Sequence, residues 1–179
     1  MDKLWVRSVI ADELGIPVAK ILFIPHHISH AASAYYASGF DKAAVLTMDG
    51  VGEWTTTAWG IGEGNNLELF KEIRFPHSLG LLYSTFTAFL GFEVNDGEYK
   101  VMGMAPYGKP IYLSEVKKLV KVFADGSFAL NLKYFAFHRS TVKSYSKEFE
   151  KLFGKPRPKA LHFFTKTSGY PSYFGDKPK

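Results

Sequence analysis

The sequence predicts an α/β domain, and three observations lead there. Helical and strand-like apolar periodicities alternate along the chain, glycine-bearing turns separate the strand-like runs, and 46% of the 179 residues are hydrophobic, enough for a packed core. Residues 3–14, KLWVRSVIADEL, space their apolar positions like an amphipathic helix, and Gly15 stands where a helix-terminating glycine belongs. AKILFI, residues 19–24, is a short apolar run stopped by Pro25 and reads as a buried strand. A second helix follows in HHISHAASAYYASGF, ending near Gly39.

The next unit opens with AAVLTMDG, residues 43–50, read as a buried strand running into a glycine turn. EWTTTAWGIG and LELFKEIRF flank EGNN as the arms of a hairpin, which makes a three-stranded meander. In SLGLLYSTFTAFLG, residues 78–91, Leu79, Leu82, Phe86 and Phe89 share one helical face. The stretch 92–110 holds too many glycines and prolines for one regular element and reads as an ordered loop with a short helix. Residues 112–126 read as an amphipathic helix and SFALNL as a strand, after which the periodicity fades.

Composition excludes several classes. There is no cysteine, so disulfides and thiolate metal sites are ruled out and any metal must sit on His, Asp or Glu. No apolar run approaches the roughly 20 residues of a membrane span and no signal-peptide core is present, so a cytoplasmic protein with no membrane partner is expected. The net charge of +5 hints at nucleic acid until it is divided: residues 139–179 carry ten Lys/Arg against three Asp/Glu, leaving the first 138 residues at −2. A Pro-bearing basic segment reads as a solvated tail, and no nucleic-acid partner is expected. The expected organisation is a domain over 1–138 and a basic, poorly patterned tail over 139–179.

Three groups of residues can carry chemistry. His26 and His30 are one helical turn apart, the spacing that lets two imidazoles share a cation, though the same spacing serves capping, packing or solvation. His27 points elsewhere and reads as a bystander or packing residue, with Tyr35 and Tyr36 beneath the helix. Asp49 ends a strand and leads into GVGEWTT, where Gly50 and Gly52 would let backbone N–H groups approach a phosphate and the hydroxyls of Thr55, Thr56 and Thr57 would donate to it. The alternative is an ordinary glycine turn with Asp as turn former. The glycine loop near Gly97 and Gly103 could take a nucleotide, with Lys100 as a point charge, or be structural. His77 and His162 read as structural singletons, and no nucleophile or paired-acid pattern stands out.

Together, HHISHAASAYYASGF, AAVLTMDGVGEWTTTAWG, FPHSLGLLYSTFTAFLGFEVNDGEYKVMGMAPYG and DGSFALNL resemble the NodU/CmcH/TobZ-type O-carbamoyltransferases, in order over residues 3–132. The resemblance implies part of an actin/sugar-kinase/Hsp70-like (ASKHA) domain: the end of its first lobe and the β-meander that starts the second. It implies transfer of a carbamoyl group from carbamoyl-adenylate, made from carbamoyl phosphate and ATP, to a hydroxyl of a small-molecule acceptor such as a sugar, an antibiotic or a nodulation factor. By the same resemblance His26, His30 and Asp49 hold a divalent metal, usually Fe(II), and Asp49 is also the candidate catalytic acid. Gly50, Gly52, Glu53 and Thr55 form the phosphate turn, and Gly97, Lys100 and Gly103 line the nucleotide side.

Two departures qualify that expectation. The family carries strands before the first helix seen here, and after a GxPR-like stretch it continues to a further metal-binding aspartate and an adenylate-forming domain. This chain diverges soon after Pro158. A fragment or a truncated gene product is therefore expected, inactive alone, with self-association through uncovered surface. The alternatives are a non-catalytic metal- or nucleotide-binding remnant, or a relative of the hydrogenase-maturation and tRNA threonylcarbamoyl-transfer proteins. EYKVMGMAPYG and DGVGEWTT fit the O-carbamoyltransferase branch better than the latter.

Overall fold

Two helices, three strands, three helices, two strands and a last helix follow one another along the chain, in a computed structural model that describes residues 5–159. Helix α1 (Val6–Leu14) ends at Gly15, whose left-handed φ of 61° is the conformation glycine tolerates best. The N–H of Gly15 bonds the Asp12 carbonyl at 3.3 Å and that of Ile16 bonds Ala11 at 3.0 Å, the paired bonds of a Schellman cap.

The buried strand expected at 19–24 does not form. Val18–Lys20 is a 3-10 turn, and Leu22, Phe23 and Ile24 are exposed. A strand needs a neighbour to pair its backbone groups, and among the described residues none lies alongside, so β-propensity alone leaves the segment as irregular chain.

Helix α2 (His26–Tyr35) lies on one face of an antiparallel sheet of β1 (Lys42–Gly52), β2 (Thr55–Glu63) and β3 (Asn66–Arg74), in that spatial order. The meander is as expected, but β1 is not a fully buried strand. It alternates: Val45 and Thr47 face inward while Leu46 and Met48 face out, since only one side of the sheet carries a helix there. Gly62 makes room for α2, because a Cβ there would meet the Tyr35 ring at 2.6 Å. Tyr35 is buried with its hydroxyl donating to the carbonyls of Asp41 and Gly64, whereas Tyr36, expected beside it, exposes its ring.

Helix α3 (Leu79–Phe89) is capped by Ser78, whose Oγ accepts the Leu81 N–H. Its Leu82, Phe86 and Phe89 enter the larger core with Leu119, Leu130, Phe135, Phe149 and Phe153. Helix α4 (Glu98–Met104) is the short helix expected after the glycine loop. The long helix expected over 112–126 is instead α5 (Leu113–Val116) followed by a hairpin of β4 (Val120–Val122) and β5 (Phe128–Leu130). The β-branched Val120 and Val122 and the turn at Asp125–Gly126, where Gly126 has φ 82°, override the helical spacing.

The segment from 139 is not a solvated tail over its described part. Helix α6 (Lys147–Phe153) puts Phe149 and Phe153 into the core, and the N–H of Arg157 bonds the Phe89 carbonyl at 2.9 Å. Its lysines face water, which is why composition hid the buried aromatics; His162 lies outside the described residues. No helix among the described residues is long and apolar enough to cross a membrane.

Candidate metal centre

The chain brings His26 and His30 to one side of α2 because four residues make just over one helical turn. Pro25, at the N-cap, starts the helix so that His26 is its first residue. Strand β1 carries Asp49 to the same point. Here Nε2 of His26 touches Oδ2 of Asp49, Nε2 of His30 lies 3.5 Å from that oxygen, and the two Nε2 atoms are 3.0 Å apart. The three side chains are partly exposed, so the cluster opens to solvent.

These separations test whether a cation fits. Ligand atoms about 2.1 Å from one ion sit about 3.0 Å apart at a right angle and about 3.4 Å apart at a tetrahedral one. The His26–His30 and His30–Asp49 separations have that spacing, whereas His26 and Asp49 stand closer, in direct hydrogen bond, and would have to part to admit an ion; two imidazoles with one carboxylate form a donor set suited to divalent iron with open positions for other ligands. No Lys or Arg among the described residues pairs with Asp49. Burial by itself would raise the Asp49 carboxyl. The His26 hydrogen bond, the Gly50 N–H and the two neighbouring imidazoles outweigh it and hold the group below its ordinary range, hence ionised and ready to ligate.

Backbone support holds the carboxylate in place. The N–H of Gly50 donates to Oδ1 of Asp49 at 2.6 Å, and the Ser78 hydroxyl donates to the Gly50 carbonyl at 2.6 Å. Gly80 allows α3 this close, since a Cβ there would lie 2.5 Å from the Asp49 carbonyl oxygen. Gly52 lies flat beneath His26, where a Cβ would collide with the imidazole ring. Gly52 of the turn therefore makes room for the histidine and Gly80 of α3 makes room for the strand, while a Cβ on Gly50 would meet only Leu81, at 3.9 Å.

The threonines expected as phosphate donors are engaged in part. Thr55 donates to Glu72, and Thr56 to the carbonyls of Ile73 and His77; Thr57 Oγ1 is buried without a partner among the described residues. Glu53 sits in the turn with φ 62°. On the nucleotide-side segment, Gly97 packs tightly against Phe92 and Glu93, Gly103 has open space, and Lys100 is paired at 3.0 Å with Asp96 one turn earlier. That pair is the first cause of the raised Lys100 ammonium pKa. His77 is structural, as expected: its Nδ1 accepts the Leu130 N–H.

His27 is the contrast. It is buried between α2 and the sheet, with Nε2 bonded to the Thr55 carbonyl at 2.9 Å and Nδ1 to the Thr47 hydroxyl at 2.7 Å. It locks the helix that presents His26 and His30, a packing role. Sequence reasoning missed Ser78 and Gly80 as supports of Asp49. The available signal was a glycine in the first turn of a helix right after a capping serine, a place where glycine needs a packing reason.

A family model described as the carbamoyltransferase N-terminus matches residues 6–167. The chain is 51% identical over 164 residues to an uncharacterized protein of Synechocystis sp., covering 87% of this chain and 26% of that protein. It is 42% identical over 110 residues to the nodulation protein NolNO of Sinorhizobium fredii, covering 60% of this chain and 16% of the relative. With nodulation protein NolO of Bradyrhizobium diazoefficiens it shares 40% over 108 residues, 60% of this chain and 20% of the relative. The chain thus spans about a quarter or less of the length of these relatives. The match takes in α1 through α6 and with them both histidines and the aspartate of the cluster; the chain belongs to the carbamoyltransferase N-terminus family.

Proposed function

We propose that this chain supplies the transfer site of a carbamoyltransferase, which moves a carbamoyl group from carbamoyl-adenylate, itself made from carbamoyl phosphate and ATP, to a hydroxyl of a small-molecule acceptor. The observation that carries the reading is the convergence of His26, His30 and Asp49 on one point, in a chain of this family. An actin/sugar-kinase/Hsp70-like lobe is part of the same proposal, supported by the α/β meander with helices on it.

The chemistry needs an electrophilic carbamoyl carbon and a leaving phosphate whose growing charge is stabilised. A divalent cation such as Fe(II), held by His26, His30 and Asp49, would supply Lewis-acid polarisation of a phosphate oxygen there. The chain's own part is to hold that donor set still: Gly50 fixes one carboxylate oxygen, Ser78 fixes the Gly50 carbonyl, and His27 fixes α2 against the sheet. The acceptor oxygen attacks the carbamoyl carbon, the bond to the adenylate oxygen breaks, and AMP leaves with that electron pair. The hydroxyl proton passes to a base.

The test is metal content and carbamoyl-adenylate binding of the purified chain, beside a His26→Ala/His30→Ala double variant. Stoichiometric iron in the wild type and its loss in the variant are expected. Equal metal and nucleotide retention in both would sink the reading.

A further inference from the structure

One side of helix α4 is bare. Tyr99 and Met102, three residues apart and therefore on one face, are 61% and 65% exposed. Gly103 shares that face, four residues after Tyr99, and a Cβ built on it would meet nothing within 4 Å. Tyr107, in the turn that follows the helix, is exposed as well. A glycine inside a helix costs about 1 kcal/mol relative to alanine, and a close packing neighbour is the usual reason to keep one. At Gly80 that neighbour is the Asp49 backbone; among the described residues Gly103 has none.

The described chain ends beside this face. After α6 it runs back along the end of α3, where the Arg157 N–H bonds the Phe89 carbonyl at 2.9 Å and the Arg157 guanidinium donates to the Leu90 carbonyl at 3.2 Å. The Lys159 ammonium then reaches Glu93 at 2.8 Å. The Glu93 carbonyl in turn accepts, at 2.7 Å, the N–H of Gly97, the residue that caps α4. Residues 160–179 follow, outside the described structure, and they carry Leu161, Phe163, Phe164, Tyr170, Tyr173 and Phe174. Extended chain spans about 3.3 Å per residue, which puts Phe163 and Phe164 within about 13 to 17 Å of Lys159. From Glu98 to Met102 the helix rises only about 6 Å, so the aromatic run has the length to reach Tyr99 and Met102.

We propose that residues 161–164, LHFF, pack on the face of α4 formed by Tyr99, Met102 and Gly103, with an aromatic ring against Gly103. The contact takes apolar surface out of water on both partners. A segment so placed shuts other ligands out of the Gly103 side of α4, the side on which a nucleotide is expected. It stands apart from the transfer reading and from the histidine–aspartate cluster.

Methionine oxidation tests it, because sulfoxide formation follows exposure and the chain carries its own reference. Met48 is 58% exposed, close to Met102. The whole 179-residue chain is treated with dilute hydrogen peroxide in EDTA, and sulfoxide at each methionine is followed by peptide mass spectrometry. Met102 is expected to oxidise about tenfold more slowly than Met48 in the native chain, and as fast as Met48 in Phe163→Ser/Phe164→Ser. A second variant, Gly103→Glu, puts a charge on the bare face where there is room for it, keeps Tm, and should free Met102 in the same way. Equal oxidation of Met48 and Met102 in the native chain would overturn the proposal. So would protection of Met102 that survives both variants, or protection that grows with protein concentration, which would mark a second copy on this face.

Discussion

Around α2 and the three-stranded sheet the buried apolar cluster is small, built on Ala31, Tyr35 and Val45, while α3, β5 and α6 gather Phe89, Leu130, Phe149 and Phe153 with Leu119 and Phe135 into one aromatic mass. The first region is tied by polar links of long sequence separation: His27 to Thr47 and Thr55, Ser78 to Gly50, Tyr35 to Gly64. The second is tied by ring contacts such as Phe149 with Phe153 at 4.6 Å and with Phe86 at 5.1 Å. The difference shows a division of labour. Ring packing tolerates small displacements, whereas a donor set must hold its atoms to a fraction of an ångström, and directional hydrogen bonds and glycine contacts do that better.

The comparison can be broken or sharpened by substitutions that fall on one side of it. Phe149→Ala, in the aromatic mass, should cost the most, about 3–5 kcal/mol in urea unfolding. If fluorescence from the sheet side and from the aromatic side then melt separately, the two regions are separate cooperative units. His27→Ala should cost about 1–3 kcal/mol, because the buried Thr47 hydroxyl and the half-buried Thr55 carbonyl both lose a partner. An unchanged Tm would show that packing and not the imidazole holds α2.

Gly52→Ala should cost about 1–3 kcal/mol through the clash with the His26 ring and remove iron binding with it. Retained iron in isothermal titration would mean the ring has room to move. His30→Ala should leave stability within about 0.5 kcal/mol, since its side chain is 54% exposed, and yet weaken iron binding strongly. The smallest effect is expected from Lys100→Ala, which breaks an exposed surface pair and should leave both Tm and the histidine–aspartate cluster unchanged. A marked loss of carbamoyl-adenylate affinity in that variant would place Lys100 on the nucleotide side.

Several parts of this molecule were legible because they depend on neighbours in sequence. The i, i+4 spacing placed His26 and His30 together, Gly15 ended α1, and the EGNN turn between two strand-like runs marked the β2–β3 hairpin. The failures share a cause. AKILFI has the composition of a strand but finds no ladder partner among the described residues, and the helical spacing over 112–126 yields to a pairing between Val120 and Leu130 ten residues away. The basic stretch after 138 hid Phe149 and Phe153 because charge averages over a segment while burial belongs to one face of it.

By itself, then, the sequence determined a mixed α/β chain with a three-stranded meander, the membership in the carbamoyltransferase N-terminus family and the three residues to look for in a cluster, since periodicity, turn chemistry and motif strings are local properties of the chain. Only the tertiary structure decided that Asp49 meets the two imidazoles, that Gly52 and Gly80 exist to let a ring and a helix come close, and that His27 is a fastener. Those facts depend on distances between residues 20 to 30 positions apart, and such distances are set by the packing of whole elements, which no local pattern encodes.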